Sequence, residues 1–352
     1  MIDRGEAFRK LALNAARFTG LPMISSPFLG GAGVSLMLHR VTGARLKPLG
    51  VNRHLTVTPD FLERTITEMK RLGYQFVTMD ELADRLKTQS SSERFAAITL
   101  DDAYRDNLLE ALPVFEKHET PFIVHVAPGL TDGATVLWWE IVEDIVTKSD
   151  EICLPTSKGS MTLDCRTTAQ KIYVNCMVTD YLTEEVPETE QVSVLSGLAK
   201  TAGINLFAVR QELLMNWDEI SQMASHPLAS IGGHTVHHYN LKRLDDETAY
   251  REIKGAKDIL GEKLGQTPRH MAFPYGYPKA VGPREVAMAR EAGFETAVTT
   301  RHGVLQAGHK DHLHALPRIS VNGRYQRVGH VRTMLSGLTT PMANYGRRLV
   351  TV

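Results

Sequence analysis

Along most of the chain, short continuous apolar runs alternate with stretches in which apolar residues recur three and four apart. The runs read as buried strands and the periodic stretches as helices with one apolar face. Val34-Ser35-Leu36-Met37-Leu38-His39-Arg40 predicts the first strand. Thr58-Pro59-Asp60 predicts a helix start, with Thr58 as N-cap and Pro59 at the first helical position. Phe61, Leu62, Ile66, Met69 and Leu72 form its apolar face, and Gly73 ends it. Strands follow at Tyr74 to Thr78, Phe95 to Leu100 and Pro121 to Val126, separated by a short helix opening at Asp80 and a helix over Asp106 to His118. Gln89 to Glu93 reads as a polar loop. This order predicts a parallel sheet closed or wound by helices.

From about residue 131 to residue 225 the rhythm changes, and this region is expected to be a mainly helical insertion. It holds a helix over Leu137 to Val146 beginning with Trp138-Trp139-Glu140, a hairpin at Lys158 to Leu163, and polar helices through Leu195 and Leu214. The alternation then resumes. Leu228 to Gly233 is a strand. Asp245 to Leu264 is an amphipathic helix with Ala249, Ile253, Ala256, Leu260 and Leu264 on one side. His270 to Phe273 is a short strand, Pro283 to Ala292 a helix stopped by Gly293, and Phe294 to Thr299 and Ala315 to Val321 the last strands. Residues 33–330 are expected to form the main domain, with a lead-in over 1–32 and a tail over 331–352 in which Met334 to Leu338 closes the base.

Composition adds limits. The 352 residues suffice for one large α/β barrel, and 43% hydrophobic with 23% charged residues is ordinary for a globular protein. Forty basic and forty acidic residues cancel, which argues against a general nucleic-acid or anionic-membrane binder. Cys153, Cys165 and Cys176 form no CxxC motif, and an odd number fits a reducing compartment. In Met1 to Gly20, charges are spread among Phe8, Leu11, Ala15 and Phe18 at helical spacing. That reads as a small amphipathic helix rather than a secretion signal, with docking on a membrane surface as a further use. Pro22, Pro27 and several glycines make Leu21 to Leu38 a poor membrane span. The expected location is cytoplasmic.

Three strand ends carry candidate chemistry. Phe95-Ala96-Ala97-Ile98-Thr99-Leu100 closes in Asp101-Asp102, and in barrels of alternating strands and helices that end is where chemistry is placed. Adjacent acids there repel unless a cation offsets them, although Asp-Asp after a strand also caps helices. Gly233-His234-Thr235-Val236-His237-His238 follows another strand. On a helical turn, His234 and His238 would share one face and His237 would point away. With one aspartate they make a two-histidine, one-carboxylate metal site with open positions. Phe273-Pro274-Tyr275-Gly276-Tyr277-Pro278 is a stiff turn that aims a backbone N–H into a pocket, with the ring as a wall.

In this order the three sites resemble the polysaccharide deacetylase family, which includes nodulation-type chitooligosaccharide deacetylases and peptidoglycan N-acetylglucosamine deacetylases. Thr99-Leu100-Asp101-Asp102-Ala103 is similar to its Thr-Phe-Asp-Asp-Gly motif. His234-Thr235-Val236-His237-His238 is similar to its second motif, a His-Ser/Thr pair followed shortly by another histidine, with the first and last residues as ligands. Phe273-Pro274-Tyr275-Gly276 is similar to the Tyr-Pro-Tyr-Gly of one large branch. The resemblance covers roughly Leu36 to Val321. It implies a distorted (β/α) barrel of seven or eight parallel strands and a metal-dependent hydrolase that removes an N-acetyl group from an amino sugar of a glycan or glycan precursor. It further implies Asp101 as general base, Asp102, His234 and His238 as metal ligands, and the Tyr275 N–H as an oxyanion donor. Pro274 and Tyr275 would then line the substrate site.

The chain departs from the family pattern at three places. Ala103 replaces a glycine, so positive-φ freedom is expected to be lost. The third motif lacks an arginine to orient the base, and Arg318 is expected to serve instead. The late Leu-x-x-His motif that supplies the acid has no clean counterpart. His39, His302 and His314 are the alternatives, with His39 ranked first because it ends a strand at the rim. Trp138 and Trp139 either stack on sugar rings or anchor the insertion. Zinc is the default metal, and the same ligands accept cobalt, nickel or iron. Two other readings are hydrolysis of another C–N bond, as in a cyclic ureide or imide, and a non-catalytic glycan-binding module.

Overall fold

A computed structural model describes residues 10–11, 13–16, 18–88, 93–156 and 159–352 of the chain. Parts of the expected N-terminal helix (residues 1–9, 12 and 17), most of the Gln89 to Glu93 loop, and Lys158 of the expected hairpin lie outside the described residues. The strands are β1 (Gly33–Leu38), β2 (Arg40–Val41), β3 (Thr56–Val57), β4 (Gln75–Phe76), β5 (Phe95–Asp101), β6 (Phe122–Val126), β7 (Glu151–Thr156), β8 (Gly159–Asp164), β9 (Ala229–Gly233), β10 (His270–Ala272), β11 (Thr296–His302) and β12 (Leu316–Ser320). All pairings in the main sheet are parallel, in the order β1-β12-β11-β10-β9-β6-β5, and β5 pairs back to β1. The sheet is therefore a closed seven-stranded barrel. β4 is an eighth strand, pairing only with the first two residues of β5, while β6 takes its last four.

Side-chain alternation sorts the barrel strands into two faces. Ala96, Ile98 and Leu100 of β5 face outward and pack with Val34, Leu36, Phe61, Ile66 and Phe115. Ala97 faces inward and meets Ile123, Ala272, Val298 and Leu316 from four other strands. The same parity carries Thr99 and Asp101, two and four residues on, up the inside of the barrel. It also points His125 of β6 and Arg318 of β12 inward. The lumen is thus an apolar layer capped by a polar one at the C-terminal rim.

The helices follow their local signals. The Thr58 hydroxyl accepts from Phe61 N–H and starts the helix Pro59–Arg71. Asp245 caps Asp246–Leu264 through Thr248 N–H. Between β6 and β9 lies a separate apolar cluster, built by Ile141, Val142, Ile145, Val174, Val178 and Leu195. The antiparallel β7–β8 hairpin in this region begins at Glu151, earlier than the sequence pattern indicated, because Ile152 and Leu154 bury one face of a strand that periodicity alone left unassigned. Leu214 ends a helix rather than lying within one, and bridges to Tyr104 beside the rim. No single helix among the described residues is long and apolar enough to cross a membrane.

Candidate active site

Asp101 and Asp102 are both buried, and the backbone turn between β5 and the next helix sends them in different directions. Arg318 is fully buried and meets Asp101 with a two-pronged contact, Nη1 to Oδ1 at 2.8 Å and Nη2 to Oδ2 at 2.7 Å. Its remaining donors go to Thr99 Oγ1 (2.9 Å) and the Thr299 carbonyl (2.9 Å). His125 Nδ1 adds a third contact to Asp101 Oδ1 at 3.1 Å. Burial pushes the Asp101 carboxyl up, but the Arg318 charge and the His125 hydrogen bond outweigh it and hold the group well below the usual carboxylate range.

Asp102 points the other way. Its Oδ1 lies 3.5 Å from His234 Nε2 and 3.4 Å from His238 Nε2, and it accepts no hydrogen bond. One ligand atom from each of the three residues falls within 4.8 Å of the others. The Ala272 carbonyl takes a hydrogen bond from His234 Nδ1 at 2.7 Å, which leaves the Nε2 lone pair facing Asp102. Such a partner on the distal nitrogen is what orients a metal-bound imidazole. Burial pushes His238 down to about 4, so its ring is neutral at ordinary pH, the form that ligates, while the Asp102 and Asp101 carboxylates outweigh burial at His234 and push that ring up. A buried carboxylate oxygen between two imidazole Nε2 atoms fits a divalent cation, whose charge would replace that proton.

The two histidines do not converge on a helical turn, as their spacing suggested. Residues 234–240 form a loop in which Thr235 and His238 take left-handed φ values of 56° and 59°, and His238 N–H donates to Thr235 Oγ1 (3.1 Å). His237 is held away by Glu252, which accepts from both its N–H (2.8 Å) and its Nδ1 (2.6 Å).

Ala103 overturns the expectation that positive φ is lost there: it adopts φ 53°, and Asp102 before it φ 74°. The turn is retained because Met215 N–H donates to the Ala103 carbonyl and Leu214 bridges Tyr104. Tyr275 also sits at φ 61°. Among the described residues, its N–H donates no hydrogen bond within the chain, while its carbonyl accepts from Thr300 Oγ1 (2.6 Å).

Both tryptophans reach the rim. Trp138 Nε1 donates to Tyr275 Oη (2.9 Å) and Trp139 Nε1 to Tyr104 Oη (2.8 Å). The Trp139 ring lies 5.1 Å from that of His238, and Tyr275 lies 5.0 Å from it on another side. Pro274 is buried beneath Tyr275. His39 directly follows β1 at the rim; burial pushes its ring down, against the raising pull of the Asp102 and Asp101 charges. His302 instead bonds Thr339 (2.7 Å), and His314 bonds the Phe294 carbonyl (2.8 Å) at the opposite end of the barrel.

The residue that sequence reasoning missed is His125. It is fully buried, bonded to Asp101, and its Nε2 has no partner. The signal was present: a single polar residue in the apolar run Phe122-Ile123-Val124-His125-Val126. Gly232 makes room for it, since a Cβ there would lie 2.4 Å from His125 Cδ2.

The fold is the (β/α) barrel found in solved polysaccharide deacetylases. A family model described as polysaccharide deacetylase matches residues 189–297, a segment with His234, His238 and the Pro274-Tyr275 turn but without the aspartate pair. This is the same family to which the motifs are similar. Solved structures share the fold. The Streptococcus pyogenes deacetylase PplD, in complex with acetate, is 18% identical with a TM-score of 0.56, over 86% of this chain and 97% of that one. IcaB from Ammonifex degensii is 16% identical with a TM-score of 0.53, over 86% and 97%. A putative polysaccharide deacetylase from Bacillus anthracis is 16% identical with a TM-score of 0.53, over 86% and 68%. No curated protein matches the sequence.

Proposed function

We propose that the chain is a metal-dependent hydrolase that removes an N-acetyl group from an amino sugar of a glycan or glycan precursor. The observation that carries this reading is the convergence of Asp102, His234 and His238 beside a second carboxylate that is not part of the set. Those three residues would hold the cation, zinc in the first instance. The chemistry it would supply there is polarisation of the amide carbonyl and acidification of a water molecule.

The chain's own groups account for the rest. Asp101, ionised and fixed by Arg318, takes the proton from the attacking water. The Tyr275 N–H donates to the carbonyl oxygen as negative charge builds on it. His39 gives a proton to the amine nitrogen as the C–N bond breaks, so that acetate and a free amino sugar leave. Trp138, Trp139, Tyr275 and Pro274 form the apolar wall on which the sugar ring stacks.

The test is acetate release from N-acetylglucosamine oligomers, with metal content measured on the same samples. Asp101→Asn is expected to keep its metal and lose turnover by about a hundredfold or more. Unchanged turnover in that variant would overturn the role of Asp101, and acetate-free chemistry on a cyclic ureide would overturn the substrate class.

A further inference from the structure

The helix Leu21–Leu29 leaves most of its large apolar side chains outside. Pro22 is buried, the half-buried Ser25 Oγ reaches Ser336 Oγ (3.4 Å), and the Ser26 carbonyl accepts from Arg94 (2.9 Å), so the side bearing Pro22 and the two serines meets the protein. Its apolar face meets solvent: Met23 is 82% exposed and Phe28 76%, with Leu21 and Ile24 beside them. Leu21, Ile24 and Phe28 form one stripe at i, i+3 and i+7. Leu11 and Phe18, themselves seven apart, are exposed in the stretch just before. A folded chain rarely leaves a contiguous apolar face open without an occupant.

The position and charge of this face identify the occupant. Arg94 and Tyr74, which border it, immediately precede strands β5 and β4, so the face lies at the base of the barrel, opposite the catalytic rim. Beside the helix runs a groove of about 790 Å³ whose lining includes Met23, Pro27, Arg71, Arg94 and Arg332. Arg71 and Arg332 share one carboxylate, Glu68. The chain totals of forty acids and forty bases conceal a segregation: residues 7–59 and 312–352 contain no Asp or Glu. These two segments supply the exposed helix and the helix Val328–Leu335 that packs against it.

We propose that the base of the barrel docks on the surface of an anionic lipid bilayer. Leu21, Met23, Ile24 and Phe28 enter the boundary between headgroups and acyl chains, Arg71, Arg94 and Arg332 lie at the level of the phosphates, and the catalytic rim faces away. A second copy of this chain would satisfy the apolar stripe but would oppose two carboxylate-poor surfaces. An anionic bilayer satisfies both features. The helix is nine residues long, so it lies on the membrane rather than crossing it.

The experiment is flotation of the whole chain with vesicles of phosphatidylcholine alone and of phosphatidylcholine mixed with phosphatidylglycerol. Flotation with the mixed vesicles only is expected, weakened by added salt. Met23→Ser and Phe28→Ser should each lower binding by about tenfold while leaving the unfolding midpoint unchanged, since both side chains are exposed. Absence of the chain from both floating fractions overturns the proposal. So does equal flotation with neutral vesicles, or a lipid-independent dimer that the same substitutions abolish. None of these readouts depends on deacetylase activity.

Discussion

Removing Arg318 from the lumen tests the polar layer directly. Arg318→Met keeps the volume roughly constant but leaves the Asp101 carboxylate buried with only His125 as donor. Breaking one side of a buried ion pair costs about 3–5 kcal/mol, because the surviving charge loses its compensation without regaining water. Asp101→Asn is expected to cost a similar amount, since the guanidinium then keeps only Thr99 Oγ1 and the Thr299 carbonyl. If the two effects were independent, the double variant would lose about 6–10 kcal/mol. Removing both charges together leaves neither stranded, so the double variant should lose no more than either single one, a coupling of about 3–5 kcal/mol. Urea unfolding of the four proteins, followed by circular dichroism after chelator treatment, measures this cycle. Additive losses, or a cost below about 1 kcal/mol for Arg318→Met, would refute the placement of a desolvated pair in the lumen.

The proposed ligand set can be tested residue by residue: His238→Ala should lose bound metal on elemental analysis while His237→Ala retains it, because Glu252 already holds His237 elsewhere. His302 is pushed down to about 4 by burial, so the unfolded chain takes up its proton first. The stability it confers is complete above about pH 6.5 and fades as pH falls from there toward 4. His302→Gln should flatten that part of a stability-versus-pH curve, and an unaltered slope would contradict the burial. At Ala103, replacement by Gly relieves a left-handed residue by about 1 kcal/mol but loses a buried methyl and gains unfolded-state freedom worth as much. Thermal unfolding should therefore hardly move, whereas Ala103→Val should destabilise by more than about 2 kcal/mol.

The strands were readable because a closed parallel barrel buries both faces of each one. Phe95 to Leu100 is a run of buried residues with no solvent side to interrupt it. The three strand-end motifs were readable for a related reason: polar residues stand out where an apolar run stops. What the sequence did not disclose were features fixed by contacts between distant segments. Inward parity is a property of strand register, and only the pairing Asp101↔His125 turns a lone strand histidine into a partner of the first aspartate. The loop that brings His234 to His238 was misread as helical because an i, i+4 spacing carries no information on φ. The helix Leu21–Leu29 at the base went unread, because Pro22 and Pro27 marked that stretch as broken, whereas Pro22 stands in the first turn, where a proline is tolerated.

Strain explains why the site loops have the shape they do. Of the seven non-glycine residues with positive φ among the described residues, five are Asp102, Ala103, Thr235, His238 and Tyr275. All lie at the C-terminal rim, in the three loops that carry the proposed chemistry. Each costs about 1–2 kcal/mol relative to an ordinary conformation, so the site stores several kilocalories that the barrel beneath must offset. An extended chain leaving β5 would carry Asp102 outward with the parity of Leu100, into the helical layer. Two successive left-handed residues reverse that direction and return the carboxylate to the mouth while Asp101 stays inside. The same reversal at Thr235 and His238 folds two imidazoles over that carboxylate. A conformational cost on this scale persists only where the surroundings over-determine it, and here they do so through Met215 on the Ala103 carbonyl, Ala272 on His234 and Thr300 on Tyr275.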